Sequence, residues 1–375
     1  MKTRTRRFAL AAAALSLTTG LAACGTAEQA GNGDGGNDSS NASGASDGIR
    51  IGLLLPESKT ARYEKFDRPY IEEAVAELCA DCEVLYANAS QDPAKQQQQV
   101  DSMLTDGVDV LILDAVDYKA IESSVNKAEQ QGVPVVAYDR LAEGPIDAYV
   151  SFDNVAIGRL QGEALLEAMR ANGDPMDGQT ILINGSPTDP NAGQFKQGMH
   201  EALDGNVQVA AEYDVPDWSP DQAQTSAAGA ITAAGVENVV GVYAANDGMA
   251  GGVIAALKAA GADPLPPVSG QDAEITGVQR ILSGEQTMTI YKAIRPEAQA
   301  AAEFAVALAR GEEITTATGT VDNATARDVP ATIIAPTVLT RDNIAETVVA
   351  DGYWTIEEIC DAAHQDACRE AGLLD

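Results

Sequence analysis

Short apolar runs alternate along the chain with longer stretches in which apolar residues recur every three or four positions. The short runs predict buried β-strands, and the longer stretches predict amphipathic helices. Strands are predicted at residues 49–55, 84–86, 108–113, 133–138, 180–184, 239–243 and 268–270. Helices are predicted at residues 69–78, 93–105, 119–130, 155–170, 220–234, 249–260, 273–283 and 296–310. This alternation is typical of parallel sheets covered by helices on both faces, so an α/β fold is expected.

Four glycines support the predicted helix ends. Gly107, Gly132, Gly261 and Gly311 each stand just after a predicted helix. A helix often ends on a residue in the left-handed conformation, which glycine adopts without steric cost. In open parallel sheets, ligands bind beyond the carboxyl ends of the strands, so candidate functional residues are sought in the loops that lead from strand to helix.

Length and charge narrow the class of protein. The chain has 375 residues, of which 45% are hydrophobic, enough for two ordinary domains. Asp and Glu number 56 against 24 Lys and Arg, which gives a formal net charge of −32. Nucleic-acid binding needs the opposite sign, so no nucleic-acid partner is expected. With only two histidines, a His-rich metal site or a His-based triad is difficult to build, and no metal, cofactor or catalytic residue is expected.

The first residues have the layout of a bacterial export signal. A basic start is followed by an apolar run at residues 8–21, which is too short to span a bilayer, and then by Leu-Ala-Ala-Cys ending at Cys24. That tetrapeptide resembles a lipobox, where cleavage leaves the cysteine to receive lipid. Cleavage would remove four basic residues and no acidic ones, so the net charge would fall from −32 to −36. A plain secretory signal with an incidental Cys24 is the alternative.

Residues 25–48 contain seven Gly and four Ser but no Ile, Leu, Val or aromatic residue. Such a segment cannot bury a core, so it predicts a flexible tether. We therefore divide the N-terminus into a lipoprotein signal peptide at residues 1–23 and a tether at residues 24–48. The folded part is expected outside the cytoplasm, held at the outer face of the cell membrane by the lipid alone.

Four cysteines remain once Cys24 is set aside. An even number in an oxidising compartment favours disulfides, and we pair Cys79 with Cys82 and Cys360 with Cys368. A redox function for Cys79-Ala-Asp-Cys82 is the alternative, but a reactive pair is expected at a helix N-terminus. This pair follows a predicted helix instead. A four-cysteine zinc site is disfavoured by the seven residues between Cys360 and Cys368.

The strand-to-helix loops carry an unusual set of polar and aromatic side chains. Carboxylates, amides and basic groups bind hydroxyls, and flat rings cover the C–H faces of a sugar. Together these residues predict a cleft for a small polyhydroxylated ligand. The candidates are Arg62, Tyr63, Asp139, Arg140, Asp189, Asn191, Trp218, Asn246, Asp272 and Lys292.

Several of these residues also allow a purely structural interpretation. Asp272 and Asn246 could be helix caps. Asp139 and Arg140 could form a surface ion pair, and Trp218 could fill a core. The binding hypothesis depends on finding all of these residues together at matching strand ends.

Six stretches of the chain resemble the periplasmic D-xylose-binding proteins, which are substrate-binding components of ATP-driven sugar importers. They are Ala-Arg-Tyr at 61–63, Ala-Tyr-Asp-Arg-Leu at 137–141, Ser-Phe-Asp-Asn at 151–154, Gly-Ser-Pro at 185–187 with Asp189 and Asn191, Ser-Gly-Gln-Asp-Ala at 269–273 and Gly-Glu-Gln-Thr-Met-Thr-Ile-Tyr-Lys at 284–292. The resemblance covers residues 49–353. It implies that the ten candidates contact a sugar, with Tyr63 stacking on it. Two positions depart from the pattern, since Tyr63 stands where Trp is usual and Pro190 where Asn is usual.

The resemblance also implies the architecture of a type I periplasmic binding protein. Two doubly wound parallel-sheet lobes would be joined by three hinge crossings, near residues 149–153, 292–296 and 328–335. We assign residues 49–151 plus 294–330 to the N-terminal lobe and residues 152–293 plus 331–375 to the C-terminal lobe. A sugar would bind between the lobes and hinge closure would bury it.

The function implied is that of the substrate-binding lipoprotein of an ABC-type sugar importer. The ligand would be D-xylose or a related aldose, the partner a permease with its ATPase, and the protein a monomer. The nearest alternative is a protein of the same fold that binds ribose, galactose, arabinose or a signalling furanone and serves a sensor or another importer. A repressor would need a helix-turn-helix where the signal and tether stand, and a sugar-converting enzyme would need a tuned acid/base pair such as Asp139 and Asp189.

Overall fold

The computed structural model describes residues 48–375, which form one compact unit. Cys24 and most of the tether lie outside the described residues. Within the described part, no helix combines the length and the apolar character needed to cross a membrane.

The N-terminal lobe is built on a seven-stranded sheet. Its strands are β1 (Arg50–Leu55), β2 (Glu83–Asn88), β3 (Val110–Leu113), β4 (Val135–Tyr138), β5 (Ala148–Phe152), β10 (Gly319–Val321) and β11 (Val329–Ile334). They lie in the order β10-β11-β5-β4-β3-β1-β2, and every neighbouring pair is parallel except β10 with β11. The helices are α1 (Arg68–Leu78), α2 (Pro93–Asp106), α3 (Glu122–Gln130) and α9 (Ile294–Ala309).

These helices cover both faces of the sheet. Apolar residues of α1 and α9, including Ile71, Val75 and Phe304, pack on one face. Val100 of α2 and Val125 of α3 pack on the other. The strands are therefore buried on both sides, which is why they appear in the sequence as continuous apolar runs.

The C-terminal lobe has a smaller sheet and more helices. Its strands are β6 (Gln179–Asn184), β7 (Val209–Asp214) and β8 (Val239–Ala244), parallel in the order β7-β6-β8, together with an antiparallel pair formed by β9 (Thr289–Tyr291) and β12 (Thr337–Leu339). The helices are α4 (Asn154–Asn172), α5 (Pro190–Leu203), α6 (Pro220–Ala234), α7 (Asp247–Ala259), α8 (Ile275–Leu282), α10 (Ile356–Ile359) and α11 (Gln365–Glu370). Short helical turns lie at Tyr63–Asp67, Pro175–Asp177, Pro216–Trp218, Val236–Asn238, Arg341–Asn343 and Ala345–Val349.

The expected α/β fold of two lobes with mostly parallel sheets is confirmed. The four predicted helix-ending glycines all have positive φ, between 67° and 85°. Strands β5 and β7 and helix α5 were not predicted, and α3 begins at Glu122 rather than residue 119. Two further differences have a visible cause. The strand expected at residues 268–270 is reduced to a single bridge between Val242 and Val268. The pairing does not continue, because the Ala244 amide of β8 donates to the Ser269 hydroxyl rather than to a backbone carbonyl of this segment. Helix α8 begins at Ile275 rather than residue 273, because the preceding Asp272 and Ala273 have positive φ.

The chain passes between the lobes three times. It leaves the large sheet after Phe152, returns between Tyr291 and Ile294, and leaves again after Ile334. The predicted lobe boundary after residue 330 falls inside β11, whose ladder with β5 continues to Ile334. The structure therefore moves this boundary to the end of β11.

Candidate functional site

All ten predicted residues line one cavity between the lobes. Its empty volume is about 300 Å³, which includes space open to solvent. None of the ten is more than 6% exposed. Arg62, Tyr63, Asp139 and Arg140 come from the N-terminal lobe, and Lys292 lies on the second crossing. The C-terminal lobe supplies Asp189, Asn191, Trp218, Asn246 and Asp272.

Arg62 stands at the start of the helical turn Tyr63–Asp67, directly after the loop that follows β1. Its guanidinium donates to two carboxylates on the side away from the cavity lining. Asp67 lies 3.0 Å from Nε, and Glu297 of α9 lies 2.7 Å from Nη2. Its Nη1 lies 3.0 Å from Asp139. Because three carboxylates surround it, Arg62 is fixed in place before any ligand contact.

Asp139 follows β4 and has a φ of 55°, which is uncommon for a residue with a side chain. Its carbonyl accepts hydrogen bonds from Tyr149, Ser151 and Asn191. The Asn191 amide also donates to the Asp139 carboxylate at 2.9 Å, across the two lobes. Burial alone would raise the pKa of Asp139, but the cations Arg62, Lys292 and Arg140 outweigh burial and lower it, so Asp139 is ionised.

Arg140 of the N-terminal lobe forms an ion pair with the C-terminal lobe. Its Nε lies 2.8 Å from Asp189 of the C-terminal lobe, and its two terminal nitrogens donate to the Ala115 carbonyl at 3.1 Å and the Tyr63 hydroxyl at 3.2 Å. Asp114 lies beneath it at 3.5 Å. The lobes are thus closed on each other through charged contacts at the cavity itself.

The loop after β6 and the N-terminus of α5 form the C-terminal wall. Asp189 caps α5 by accepting from the amide of Asn191 at 2.8 Å, and it also accepts from the indole N–H of Trp218 at 3.1 Å. A side chain at Gly185 would collide with the Trp218 ring, so glycine is required for the indole to lie over this loop. Pro190 occupies the first position of α5, where proline needs no amide hydrogen.

The loop after β8 and the turn before α8 complete the cavity. Asn246 caps α7 by accepting from the amide of Met249 at 2.9 Å. Asp272 lies 2.8 Å from the ammonium group of Lys292. That ammonium group also lies 5.6 Å from the centre of the Phe152 ring, which places it beside an aromatic face.

The structural interpretations of these residues can now be compared with their contacts. Asn246 does cap a helix, and Trp218 does belong to the apolar core of its lobe, yet both also line the cavity. Asp272 caps no helix. Asp139 and Arg140 are buried, and their closest ionic partners are Arg62 and Asp189, so they are not a surface ion pair.

Two amide oxygens in the cavity lining are buried without a hydrogen bond, Oδ1 of Asn191 and Oε1 of Gln271. A buried acceptor without a donor is costly. Hydroxyl groups of a ligand can supply the missing donors, while the arginine and lysine nitrogens can donate in return. The cavity therefore has the chemistry to recognise several hydroxyls of one small molecule.

Three further residues line the cavity and were not predicted from the sequence: Thr60, Phe195 and Gln271. Gln271 stands within the quoted stretch at 269–273 and could have been included. Phe195 lies on α5, a helix whose Asp189-Pro190 start is a recognisable signal but which was not predicted. Among residues 48–375, no cluster of His, Cys, Asp and Glu has the arrangement to hold a metal ion.

Two parallel-sheet lobes, three crossings and a buried polar cavity between them define a two-lobed binding protein. The chain belongs to the periplasmic binding protein domain family, which matches residues 51–313. This match confirms the periplasmic binding protein class that the six stretches implied.

Two curated relatives show the similarity over most of the chain. The chain is 35% identical to the D-xylose-binding periplasmic protein of Escherichia coli over 317 residues, 83% of this chain and 92% of that protein. It is 30% identical to a multiple sugar-binding periplasmic protein of Azospirillum brasilense, over 83% of this chain and 91% of the relative.

The chain is also similar to solved structures of solute binding proteins with a bound sugar. A carbohydrate transporter solute binding protein from Chloroflexus aurantiacus in complex with D-glucose is 27% identical, with a TM-score of 0.74 over 82% of this chain and 97% of that one. An ABC transporter solute binding protein from Clostridium phytofermentans with bound β-D-glucose is 25% identical, with a TM-score of 0.75 over 83% and 99%.

Proposed function

We propose that this protein is the substrate-binding component of an ABC-type sugar importer and binds one monosaccharide, D-xylose or a related aldose, in the cavity between its lobes. The observation that carries the proposal is the cavity itself, which is closed by both lobes and lined by all ten predicted residues. The curated relatives named for D-xylose and for multiple sugars support the same ligand class.

In this proposal the polar residues act as hydrogen-bond donors and acceptors for the sugar. Arg62, Arg140 and Lys292 donate to sugar oxygens, while the carboxylates accept from hydroxyls and Asn191 and Asn246 do either. The rings of Tyr63 and Trp218 cover the C–H faces of the sugar. The protein carries out no reaction, so the sugar leaves unchanged to the permease and its ATPase.

We further propose that the protein is a lipoprotein anchored through Cys24 at the outer face of the cell membrane and acts as a monomer. The basic and apolar start of the chain and the Leu-Ala-Ala-Cys sequence support this location. Metabolic labelling with a fatty acid should mark the wild-type protein and not a Cys24→Ser variant. Labelling of both would contradict anchoring at Cys24.

Two disulfides belong to the same proposal. The Cα atoms of Cys79 and Cys82 lie 5.3 Å apart and those of Cys360 and Cys368 lie 5.9 Å apart, distances suited to bonded pairs. Cys79 follows the last residue of α1, which is the end of a helix where a thiolate is not stabilised. Thiol titration under denaturing conditions should find no free thiol among these four cysteines before reduction.

The ligand is tested by titration calorimetry of the full chain against D-xylose, D-glucose, D-galactose, L-arabinose, D-ribose and D-fructose. We expect micromolar or tighter binding of one aldose and recovery of the sugar unchanged. In an Asp272→Ala variant with unchanged circular dichroism, affinity should fall at least tenfold, because Lys292 loses its partner and the sugar loses an acceptor.

The results have distinct meanings. Binding of ribose, galactose or arabinose instead of D-xylose would favour the alternative ligand within the same class. Absence of binding across the panel would contradict monosaccharide recognition. Chemical conversion of the sugar would contradict the role of a binding protein.

A further inference from the structure

The turn that carries Asp272 is held in an unfavourable backbone conformation. Asp272 has a φ of 90° and Ala273 a φ of 47°, values at which residues with side chains are strained. Two bonds hold the amides of the turn, from Asp272 to the Ile290 carbonyl at 2.9 Å and from Ala273 to the Thr289 hydroxyl at 3.2 Å. These bonds fix one side of the turn.

The carbonyl groups of the same turn are held from the opposite side by the C-terminal segment. The Tyr353 hydroxyl donates to the Asp272 carbonyl at 3.3 Å, and the Trp354 indole N–H donates to the Ala273 carbonyl at 2.8 Å. Both side chains are buried, at 5% and 3% exposure. Neither lines the cavity, so neither is available to touch a ligand there.

The same two aromatic residues meet the N-terminal lobe. Phe66 stacks on Tyr353 with ring centres 3.9 Å apart and packs edge-on against Trp354 at 5.1 Å. Phe66 belongs to the turn Tyr63–Asp67. That turn follows Arg62 and begins with Tyr63, both of which line the cavity. The Tyr63–Asp67 turn of the N-terminal lobe is thus packed against Tyr353 and Trp354. These are the two residues that hold the Asp272–Ala273 turn of the C-terminal lobe.

A charged contact reinforces this junction. The ammonium group of Lys65 lies 4.0 Å from the centre of the Trp354 ring and 2.8 Å from Glu358. All of these C-terminal residues lie beyond residue 313, where the match to the family ends.

We infer that Tyr353 and Trp354 are positioning residues of the binding site, which hold the Asp272–Ala273 turn in the conformation that presents Asp272 to the cavity. Phe66 of the N-terminal lobe packs on both residues in this structure, where the lobes are in contact, so closure of the N-terminal lobe would stabilise this conformation. The inference rests on the proposed function for its effect on sugar affinity, but its structural part can be measured without a ligand.

The first test is amide hydrogen exchange of the full chain without sugar. The double variant Tyr353→Phe with Trp354→Phe keeps an aromatic ring at both positions and removes both hydrogen bonds. We expect the amides of Asp272 and Ala273 to exchange at least fivefold faster in this variant. The matched control is Tyr243→Phe, which removes a buried hydrogen bond to Gln161 in the core of the same lobe and should leave these two amides unchanged.

The coupling between lobes is tested by Phe66→Leu. This change removes the stacking on Tyr353 and should accelerate exchange of the same two amides at least twofold, although it lies in the other lobe. Phe304→Leu is the control, because Phe304 is buried in the N-terminal core on α9. Equal rates in wild type and Phe66→Leu would overturn the coupling.

The second test uses the sugar that the wild-type protein binds. We expect the double Phe variant to bind it three- to tenfold more weakly. In an Asp272→Asn background the two Phe changes should have no further effect on affinity, because their effect acts through Asp272. A merely structural role would give the same loss in both backgrounds and would overturn the inference.

The two proposals fail separately. If the wild-type protein binds no sugar of the panel, the proposed function fails, while the exchange rates still decide the role of Tyr353 and Trp354. If the wild type binds sugar and the double variant shows wild-type exchange and affinity, only the present inference fails.

Discussion

At the scale of single residues, the cavity and the shell beneath it contain more carboxylates than cations. Three basic residues, Arg62, Arg140 and Lys292, face six acidic ones. The acidic residues are Asp67, Asp114, Asp139, Asp189, Asp272 and Glu297. Burial raises the pKa of Glu297 and Asp114 well above their usual ranges, and it also raises that of Asp189. Burial thus opposes the negative charge of these acidic residues, and the three cations favour it.

The contact between Arg140 and Asp114 gives a prediction for stability. Arg140→Ala should lower the free energy of unfolding by about 3–5 kcal/mol, because it leaves buried carboxyl groups without their cation. Chemical denaturation measures the change. Adding Asp114→Asn should recover part of the loss, since no carboxyl group then remains at that position. A loss below about 1 kcal/mol for the single variant would contradict the assignment.

Asp247 gives a prediction for pH dependence. It is fully buried at the start of α7 and accepts hydrogen bonds from Gln286, Thr289 and the amide of Glu274. Burial raises its pKa to about 7, so between about pH 4 and 7 the folded protein holds a proton that the unfolded chain has released. Stability from this group is therefore present at low pH and lost as the pH rises through 7.

The test compares wild type with Asp247→Asn, which cannot titrate. We expect the asparagine variant to be less stable at pH 4. Its NH₂ group places two hydrogen-bond donors in a site whose neighbours are already donors, so the new donors lack acceptors. The difference in free energy of unfolding from wild type should shrink as the pH rises to 7. A difference that grows with pH would show that Asp247 has a depressed pKa.

At the scale of elements, the position of α5 and the loop before it shapes one wall of the cavity. Gly158 on α4 and Gly198 on α5 let the two helices approach until a Cβ on either would collide with the backbone of the other. This close packing sets where α5 begins, and with it the positions of Asp189 and Asn191. The site therefore depends on small residues that make no contact with a ligand.

Gly185→Ala tests the loop after β6. The added Cβ would collide with the Trp218 ring, so we expect a stability loss of about 1–3 kcal/mol and at least a tenfold loss of sugar affinity. Thermal unfolding and calorimetry measure the two effects. Gly193→Ala is the matched control, because a Cβ there meets no atom within 4 Å and alanine favours a helix. Similar affinity losses in both variants would argue against the role of Trp218.

At the scale of the whole molecule, contacts across the cavity hold the lobes together. Arg140 meets Asp189, Asn191 meets Asp139, and the Tyr118 amide donates to the Thr188 carbonyl at 3.2 Å. A bound sugar adds contacts to both lobes. It favours closure only by its extra affinity for the closed form.

Closure is expected to be visible in solution. Saturating sugar should reduce the radius of gyration measured by small-angle X-ray scattering. A free sugar concentration one hundred times the dissociation constant should raise the free energy of unfolding by about 2.7 kcal/mol. Asp272→Ala, measured at the same sugar concentration, is the control and should show less of both effects. Tight binding with no change in radius would contradict hinge closure.

The α/β class, most helix bounds and ten of the thirteen residues that line the cavity could be predicted from the sequence. Apolar periodicity is a local property, and parallel strands place their carboxyl ends on one edge, so polar residues after strands meet in any fold of this class. Helix α6, for example, lies at Pro220–Ala234, where the spacing predicts it. By contrast, β7 is a largely exposed edge strand, and it has no apolar run to reveal it.

The partners of these residues depend on how distant segments pack, and they could not be predicted from the sequence. The positive φ of Asp139 and Asp272 is accompanied by hydrogen bonds to their carbonyls from residues elsewhere in the chain, Tyr149 and Tyr353 respectively. The carboxylates of Asp67 and Glu297 hold Arg62 from separate elements, and no local pattern brings them together. Ion pairing and backbone strain are properties of contacts between distant segments, which a linear sequence does not contain.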